Sequence, residues 1–180
     1  MSDHPAFSMP PNITIHPWSL ESLGISLSSS QQCPFTSVAN VAWPSANRAL
    51  FVPFVLLEQI TVKRLFWYNG LTTSQNVDAG VYDKNGVLLG SAGGVAQSGV
   101  GVIQSADVTD FTCGPGLFYL ALVKDGTTGK IYQGMAEAGY VKAWGMFQMA
   151  TAYPLPAVAT FATCATDRVP VVGLSTRDLV

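Results

Sequence analysis

The dipeptide Asn85-Gly86 constrains this chain more than any other pair of residues. It closes the run "NVDAGVYDKNG", and Asn-Gly supplies the positive φ angles that a tight hairpin turn demands. Before it, Val77, Ala79 and Val81 alternate with Asn76, Asp78, Gly80 and Tyr82, the pattern of a strand buried on one face. After it, "VLLGS" is placed to pair back. A chain with this unit at its centre is committed to antiparallel strands.

The surrounding sequence repeats the theme. "ALFVPFVLL" and "ITVKRLFWY" are rich in β-branched and aromatic residues, as strands are. Pro53 cannot donate to a ladder, so the first of these is expected at an edge or bulged. "GVGVIQSADV" gives a further strand, "CGPG" at 113–116 a turn, and "KDGTTGK" another turn before "IYQGM". "LFYLALV" is apolar at every position and is expected to be a central strand covered on both faces. Turns at intervals of roughly ten residues indicate a sandwich or jelly roll, and the amphipathic helices of a parallel α/β sheet are absent. The expected fold is all-β: a jelly-roll-like antiparallel β-sandwich over residues 47–180, with an extended N-terminal arm over residues 1–46.

The arm is expected on composition. Residues 1–46 are rich in Ser, Pro, Asn and Gln, carry Phe7, Trp18, Phe35 and Trp43, and hold no steady hydrophobic period. The stretch from Ser22 to Asn47 has no charged residue. Free disordered tails are more charged and less aromatic, so an arm lying on another surface fits better. A second uncharged stretch, "AWGMFQMATAYPLPAVATFATCAT" at 143–166, is long enough to cross a bilayer, but its two prolines and its Gln make it a poor lipid-facing helix. It is expected to be buried in protein. Val169, Val171, Val172 and Leu174 are expected to return to the sheet as a final strand.

Across the whole chain 48% of residues are apolar and 11% are charged, against roughly a quarter charged in ordinary soluble domains. So little surface charge implies surface that faces partners. The formal net charge of −2 offers no footprint for a nucleic-acid backbone. The opening residues lack a basic stretch followed by an apolar run, so no secretory signal is expected, and Asn12-Ile13-Thr14 reads as a chance glycosylation sequon. Cys33, Cys113 and Cys164 are odd in number and far apart, which fits reduced thiols better than disulfides or zinc.

Few residues point to chemistry. The two histidines, His4 and His16, both lie in the arm, away from any serine of the sandwich. Asp78, Asp83, Asp107 and Asp110 could in principle supply paired carboxylates or a structural calcium site, but Asp83 and the "DVTD" corner read as turn residues. "GSAGGVAQSGVGV" lacks the Lys and the following helix of a phosphate loop. Neither cofactor, metal, nucleic acid nor membrane is expected. What remains is aromatic: Trp67, Tyr68 and Asn69 at a strand end, with Tyr132, could form a stacking platform for a sugar, or could belong to the core and its rim.

Three runs, "WPSANRALFVPFVLLEQITVKRLFWYNG", "NVDAGVYDKNGVLLGSAGGVAQSG" and "DVTDFTCGPGLFYLALVKDGTTG", together resemble tailed-bacteriophage virion proteins with a jelly-roll-like sandwich. The closing "VPVVGLSTRDLV" is similar to the short C-terminal strand of many of them. The resemblance spans roughly residues 43–134 and the last dozen, and leaves 1–42 unmatched. It implies a structural or adhesive virion component without catalytic residues: a head decoration, head fibre, collar or tail-attached protein, made in the host cytoplasm. The expectation is a homo-oligomer, with three copies as the working number, that contacts capsid or tail proteins. Phe7, Trp18, Phe35, Trp43, Trp144, Phe147, Tyr153 and Phe161 are its candidate assembly residues. A host-glycan module on the same sandwich, using Trp67, Tyr68, Asn69 or Tyr132, is the alternative, and a glycan-cleaving enzyme using Asp78 is the third reading.

Overall fold

A computed structural model describes residues 27–28, 37–135 and 139–177. The strands in chain order are β1 (Leu27–Ser28), β2 (Ser37–Ala42), β3 (Ala49–Leu56), β4 (Ile60–Tyr68) and β5 (Asn76–Asp83). They continue as β6 (Leu88–Ser91), β7 (Val95–Ala96), β8 (Ile103–Cys113), β9 (Gly116–Lys124) and β10 (Lys130–Met135). One short helix, α1 (Tyr140–Ala143), precedes β11 (Phe147–Met149), β12 (Ala162–Thr163), β13 (Arg168–Pro170) and β14 (Val172–Ser175). Every strand pairing is antiparallel.

The strands form a sandwich. One sheet runs β1-β14-β4-β8, the other β12-β11-β3-β9-β5-β6 with β7 also on β5, and a small sheet β13-β10-β2 stands beside them. The chain crosses between the two large sheets from β3 to β4, from β4 to β5 and from β8 to β9, which is jelly-roll-like connectivity. The main core fills the space between them. Leu50, Val52 and Phe54 of β3, Val77, Ala79 and Val81 of β5, and Leu120 and Leu122 of β9 meet Leu65 and Trp67 of β4, Val108 of β8, and Val172 and Leu174 of β14. Fully burying one such aliphatic side chain stabilises the fold by about 2 kcal/mol, so this cluster dominates.

A second core lies on the far face of the larger sheet. Phe51, Tyr82, Tyr119, Ala121 and Val123 are covered there by Ala152, Leu155 and Ala159, with Phe147, Tyr153 and Phe161 packed around them. The uncharged stretch 143–166 thus supplies a third layer over the chain's own sheet. It explains why "LFYLALV" is apolar from Phe118 on: β9 is central and covered on both faces there, while Leu117 at its start is exposed. The same layer corrects the reading of β5, whose second face was expected in water. Asp78 and Tyr82 are fully buried under the 150–161 segment. The Asp78 carboxylate accepts the Gly93 and Leu155 N–H groups, each at 3.0 Å, and the Tyr82 hydroxyl donates to Pro156 O at 2.7 Å.

One boundary also differs from expectation. Within the stretch expected to be an arm, β2 pairs all six of its residues with β10, and Trp43 just beyond it is a core residue donating Nε1–H to Arg48 O at 2.8 Å. The sequence "SVANVA" hides this strand because its small and apolar residues do not alternate cleanly. Pro53 lies in a strand paired along its whole length with β9, but β11 flanks β3 only from Ala49 to Phe51. Beyond Phe51 that side of β3 is an edge, which is where a residue without N–H is tolerated.

The hairpin forms at Asn85-Gly86 as expected, but of the pair only Gly86 takes a positive φ, and the β5–β6 register shifts beside it. Asp83 Oδ1 accepts the Asn85 and Val87 N–H groups at 2.9 and 2.8 Å, and Gly86 takes φ +82°. A Cβ on Gly86 would lie 2.7 Å from the Ala159 carbonyl oxygen, so strain and clash act together. Gly86→Ala is expected to cost roughly 2 kcal/mol in chemical denaturation, by forcing a left-handed alanine against a rigid backbone. An unchanged midpoint would show that the third layer yields at this point.

Candidate functional site

The four residues proposed for sugar contact converge at one end of the sandwich, but in different roles. Alternation along β4 turns Trp67 into the main core, where it is fully buried, so it offers no surface to a ligand. Its Nε1–H donates to Asn69 Oδ1 at 3.0 Å. Asn69 is itself fully buried. The same Oδ1 accepts from Gln97 Nε2 at 3.0 Å, and Asn69 Nδ2 donates to Ser98 O and to Gln104 Oε1, the latter at 2.9 Å. Both acceptor sites and both donors of this one amide are therefore used.

The network extends to Lys124 at the end of β9. Gln97 Nε2 also reaches Lys130 O at 2.6 Å, while Gln97 Oε1 accepts from Ser74 N at 3.2 Å and from Lys124 Nζ. Lys124 Nζ donates in addition to Ser74 O at 3.1 Å. Lys124 is fully buried; burial pulls its ammonium pKa down from 10.5 to about 8, against a smaller upward pull from Asp125. Gly129 packs directly on this cluster, since a Cβ there would meet Gln97 Oε1, Ser74 O and Lys124 Nζ within 2.6 Å.

What the network holds is an apolar tip. Asn69 N–H donates to Val102 O and Gly101 N–H to Gly70 O, each at 3.0 Å, and Gln104 spans Ser98 N and Ala96 O, each at 2.8 Å. These bonds fix the 98–103 loop against the 69–71 turn. Its side chains face outward: Leu71 is 58% exposed, Val100 57%, Val102 49% and Ile103 59%. Ile103 is the cross-strand partner of Tyr68, whose ring lies 4.3 Å from that of Tyr132 at an interplanar angle of 31°. Both tyrosines are half-buried, so the pair forms a ridge beside the tip. Val55, Leu57 and Leu117 are exposed at the β3–β9 end, Val55 directly opposite Leu117.

Five of the eight assembly candidates are among the described residues, and each packs within the chain. Trp43 belongs to the main core, and Trp144 packs against it. Phe147 and Phe161 stack at 5.1 Å and 16°, and both reach Tyr119; Phe161 also meets Phe51 edge-on at 5.0 Å. Tyr153 packs on the same second core. These aromatic residues are chiefly spent on intrachain packing, because the far face of the larger sheet needed cover. Phe7, Trp18 and Phe35 lie outside the described residues, as do His4, His16 and Cys33. Cys113 and Cys164 are free and buried, and burial pushes the Cys113 thiol up to about 12.

The carboxylates singled out in the sequence do not meet. Asp83 serves its turn, and Asp107 lies 3.9 Å from Arg64 with a largely exposed side chain. Asp78 is sealed beneath Leu155, where burial raises its pKa against the lowering effect of its backbone N–H partners, so no substrate reaches it in this conformation. Among the described residues no group of three or more His, Cys, Asp or Glu side chains is placed to hold a metal, and no helix is long and apolar enough to cross a membrane. Gln97, Gln104 and Lys124 carry no sequence signal of their role, since they meet Asn69 across long sequence separations. Comparisons with protein-family models and with curated proteins each return no match.

Proposed function

We propose that this chain is a tailed-bacteriophage virion structural protein that assembles as a homo-oligomer and docks on the particle through its N-terminal arm. The single observation that carries the reading is the rigid apolar tip formed by Leu71, Val100, Val102 and Ile103. Large aliphatic side chains grouped in water are unfavourable, and here a fully paired polar network holds them out instead of letting the loop fold inward. That is an arrangement suited to contact with another protein surface. The scarcity of charge in the chain and its resemblance to phage sandwich proteins support the same reading. Its place of action would be the virion, with capsid or tail proteins and further copies of itself as partners.

The test is the mass of the full chain by light scattering at low and physiological salt, beside Val102→Asp. A defined oligomer that dissociates in the variant supports assembly through the tip. A monomer in both, at all accessible concentrations, overturns the homo-oligomer. The Tyr68–Tyr132 ridge favours a second reading, glycan recognition, because tilted, half-buried rings at the surface suit the apolar face of a sugar. Binding on a glycan panel that is lost in Tyr132→Ala would favour it.

A further inference from the structure

The sequence holds two Asn-Gly pairs, Asn69-Gly70 and Asn85-Gly86. Asparagine before glycine is prone to lose its side-chain ammonia, because glycine has no Cβ to hinder attack by its own nitrogen on the preceding carboxamide. The two pairs share this local chemistry and differ in what the fold does to the asparagine. In the first pair the amide is locked. Asn69 is fully buried, its Nδ2 donates to Ser98 O and Gln104 Oε1, and its Oδ1 accepts from Trp67 and Gln97. Bringing Asn69 Cγ onto Gly70 N would break all four of these bonds. In the second pair Asn85 is exposed, and its carboxamide donates from Nδ2 to Asp83 Oδ2 at 3.4 Å, too long to hold it firmly. Gly70 N–H donates to Lys130 O at 2.9 Å and Gly86 N–H to Asp83 O at 3.0 Å, so the glycines do not separate the two pairs.

The turn that holds Asn85 also seats part of the third layer. Gly86 O accepts from Ala159 N at 2.8 Å, Leu88 N donates to Ala157 O at 2.9 Å, and Val87 forms a bridge with Val158 between them. Ala159 O lies 2.7 Å from where a Cβ on Gly86 would stand, so Gly86 has no room to shift toward that layer. The 157–159 end of the third layer therefore depends on the path of the backbone through residues 85–88.

We propose that Asn85 is a deamidation site whose isoaspartate product unseats the 157–159 end of the third layer. Gly86 N gives up its proton and attacks Asn85 Cγ. The new C–N bond closes a succinimide as the Cγ–Nδ2 bond breaks and ammonia leaves with that proton. Water then opens the ring at either carbonyl, giving aspartate or isoaspartate. Isoaspartate routes the main chain through Cβ and Cγ, which adds one backbone atom just before Gly86. Over this longer path Gly86 O and Leu88 N fall out of register with 157–159, much as an inserted residue displaces a ladder. No partner is needed, and the modification is independent of the virion reading.

The test keeps the full chain warm at mildly alkaline pH, folded and in guanidinium, and follows both sites by mass. Trypsin places Asn69 on the 65–84 peptide and Asn85 on the 85–124 peptide. In the folded protein Asn85 is expected to convert about a hundredfold faster than Asn69, whose network must open first, and in guanidinium the two rates are expected to converge. Comparable rates in the folded protein, no conversion at Asn85, or a difference that persists in guanidinium overturns the site. The isoaspartate-bearing fraction is then compared with Asn85→Asp, which carries the added charge on an unaltered backbone. Amide exchange at Leu88 and Ala159 is expected to be roughly tenfold faster in the isoaspartate fraction and unchanged in Asn85→Asp. Unchanged exchange in the isoaspartate fraction, or equal acceleration in the variant, overturns the unseating.

Discussion

Asn69→Ala is expected to destabilise the protein by about 4 kcal/mol and to lower its melting temperature by on the order of 10 °C. The substitution removes four hydrogen bonds at one stroke and leaves the buried Trp67 indole N–H and the Gln97 amide short of acceptors. A buried polar group without a partner costs more than the bond itself was worth, which is why the effect exceeds that of a surface asparagine several-fold. Asn69→Asp is a sharper probe. Its second carboxylate oxygen would confront Ser98 O and Gln104 Oε1, both acceptors, so it is expected to be no more stable than the alanine variant. Denaturant titrations followed by Trp fluorescence decide the matter. A loss below about 1 kcal/mol for either variant would mean that the network is not what holds the tip.

The second large effect is on pH. Lys124 titrates near 8 in the folded protein and near 10.5 unfolded, so between these values the unfolded chain binds the extra proton. The Lys124 contribution to stability must then rise with pH through this window, by as much as about 3 kcal/mol for the full separation. Below pH 8 the burial penalty is fully present, and it is progressively relieved as the solution is made alkaline. Deprotonation sacrifices no contact, because a neutral amine still donates to both Gln97 Oε1 and Ser74 O. The urea midpoint of the parent relative to Lys124→Met is expected to climb from pH 7 to 9.5; the buried thiols Cys113 and Cys164, whose pKa values burial raises, pull both proteins the other way toward the top of this range and cancel in the comparison. A difference between the two proteins that stays flat or shrinks over this range would overturn the assignment.

How much of this was legible in the sequence depends on whether the controlling interactions are local. The hairpin at Asn85-Gly86 and its Asp83 cap act within five residues and form where they are expected, with Gly86 alone supplying the positive φ. β9 was legible because full burial leaves its mark at every position from Phe118 on. β5 was misjudged for the converse reason: Asp78, Gly80 and Tyr82 look solvated, and only the arrival of Leu155 and Pro156 from far along the chain makes them interior. β2 carries too weak an alternation to announce itself and is defined by β10, which is more than eighty residues away in sequence. At the candidate site, Trp67, Tyr68, Asn69 and Tyr132 lie near one another, but nothing local tells which of them turn inward. The period of a strand assigns alternate residues to opposite faces without saying which face is wet. Gln97 and Lys124 were invisible altogether, since a buried glutamine and a buried lysine read in sequence like any surface pair.

The third layer over the larger sheet has a consequence for how the molecule fails. β11 pairs with β3 over only three residues and with β12 over two, so the 147–163 segment is held by short ladders, scattered backbone bonds and side-chain packing. Its other polar fastenings, Leu155 N to Asp78, Tyr82 to Pro156 O, Ala152 N to Asn47 O, Leu88 N to Ala157 O and Ala159 N to Gly86 O, are lost together if it lifts. Lifting uncovers Phe51, Tyr82 and Tyr119 at once while leaving the main core intact, which makes this segment a natural unit of partial opening. Amide exchange should therefore report the 147–163 segment opening ahead of β9, and the half-open species, with a bare aromatic sheet face, is the form in which this protein would be most prone to clump.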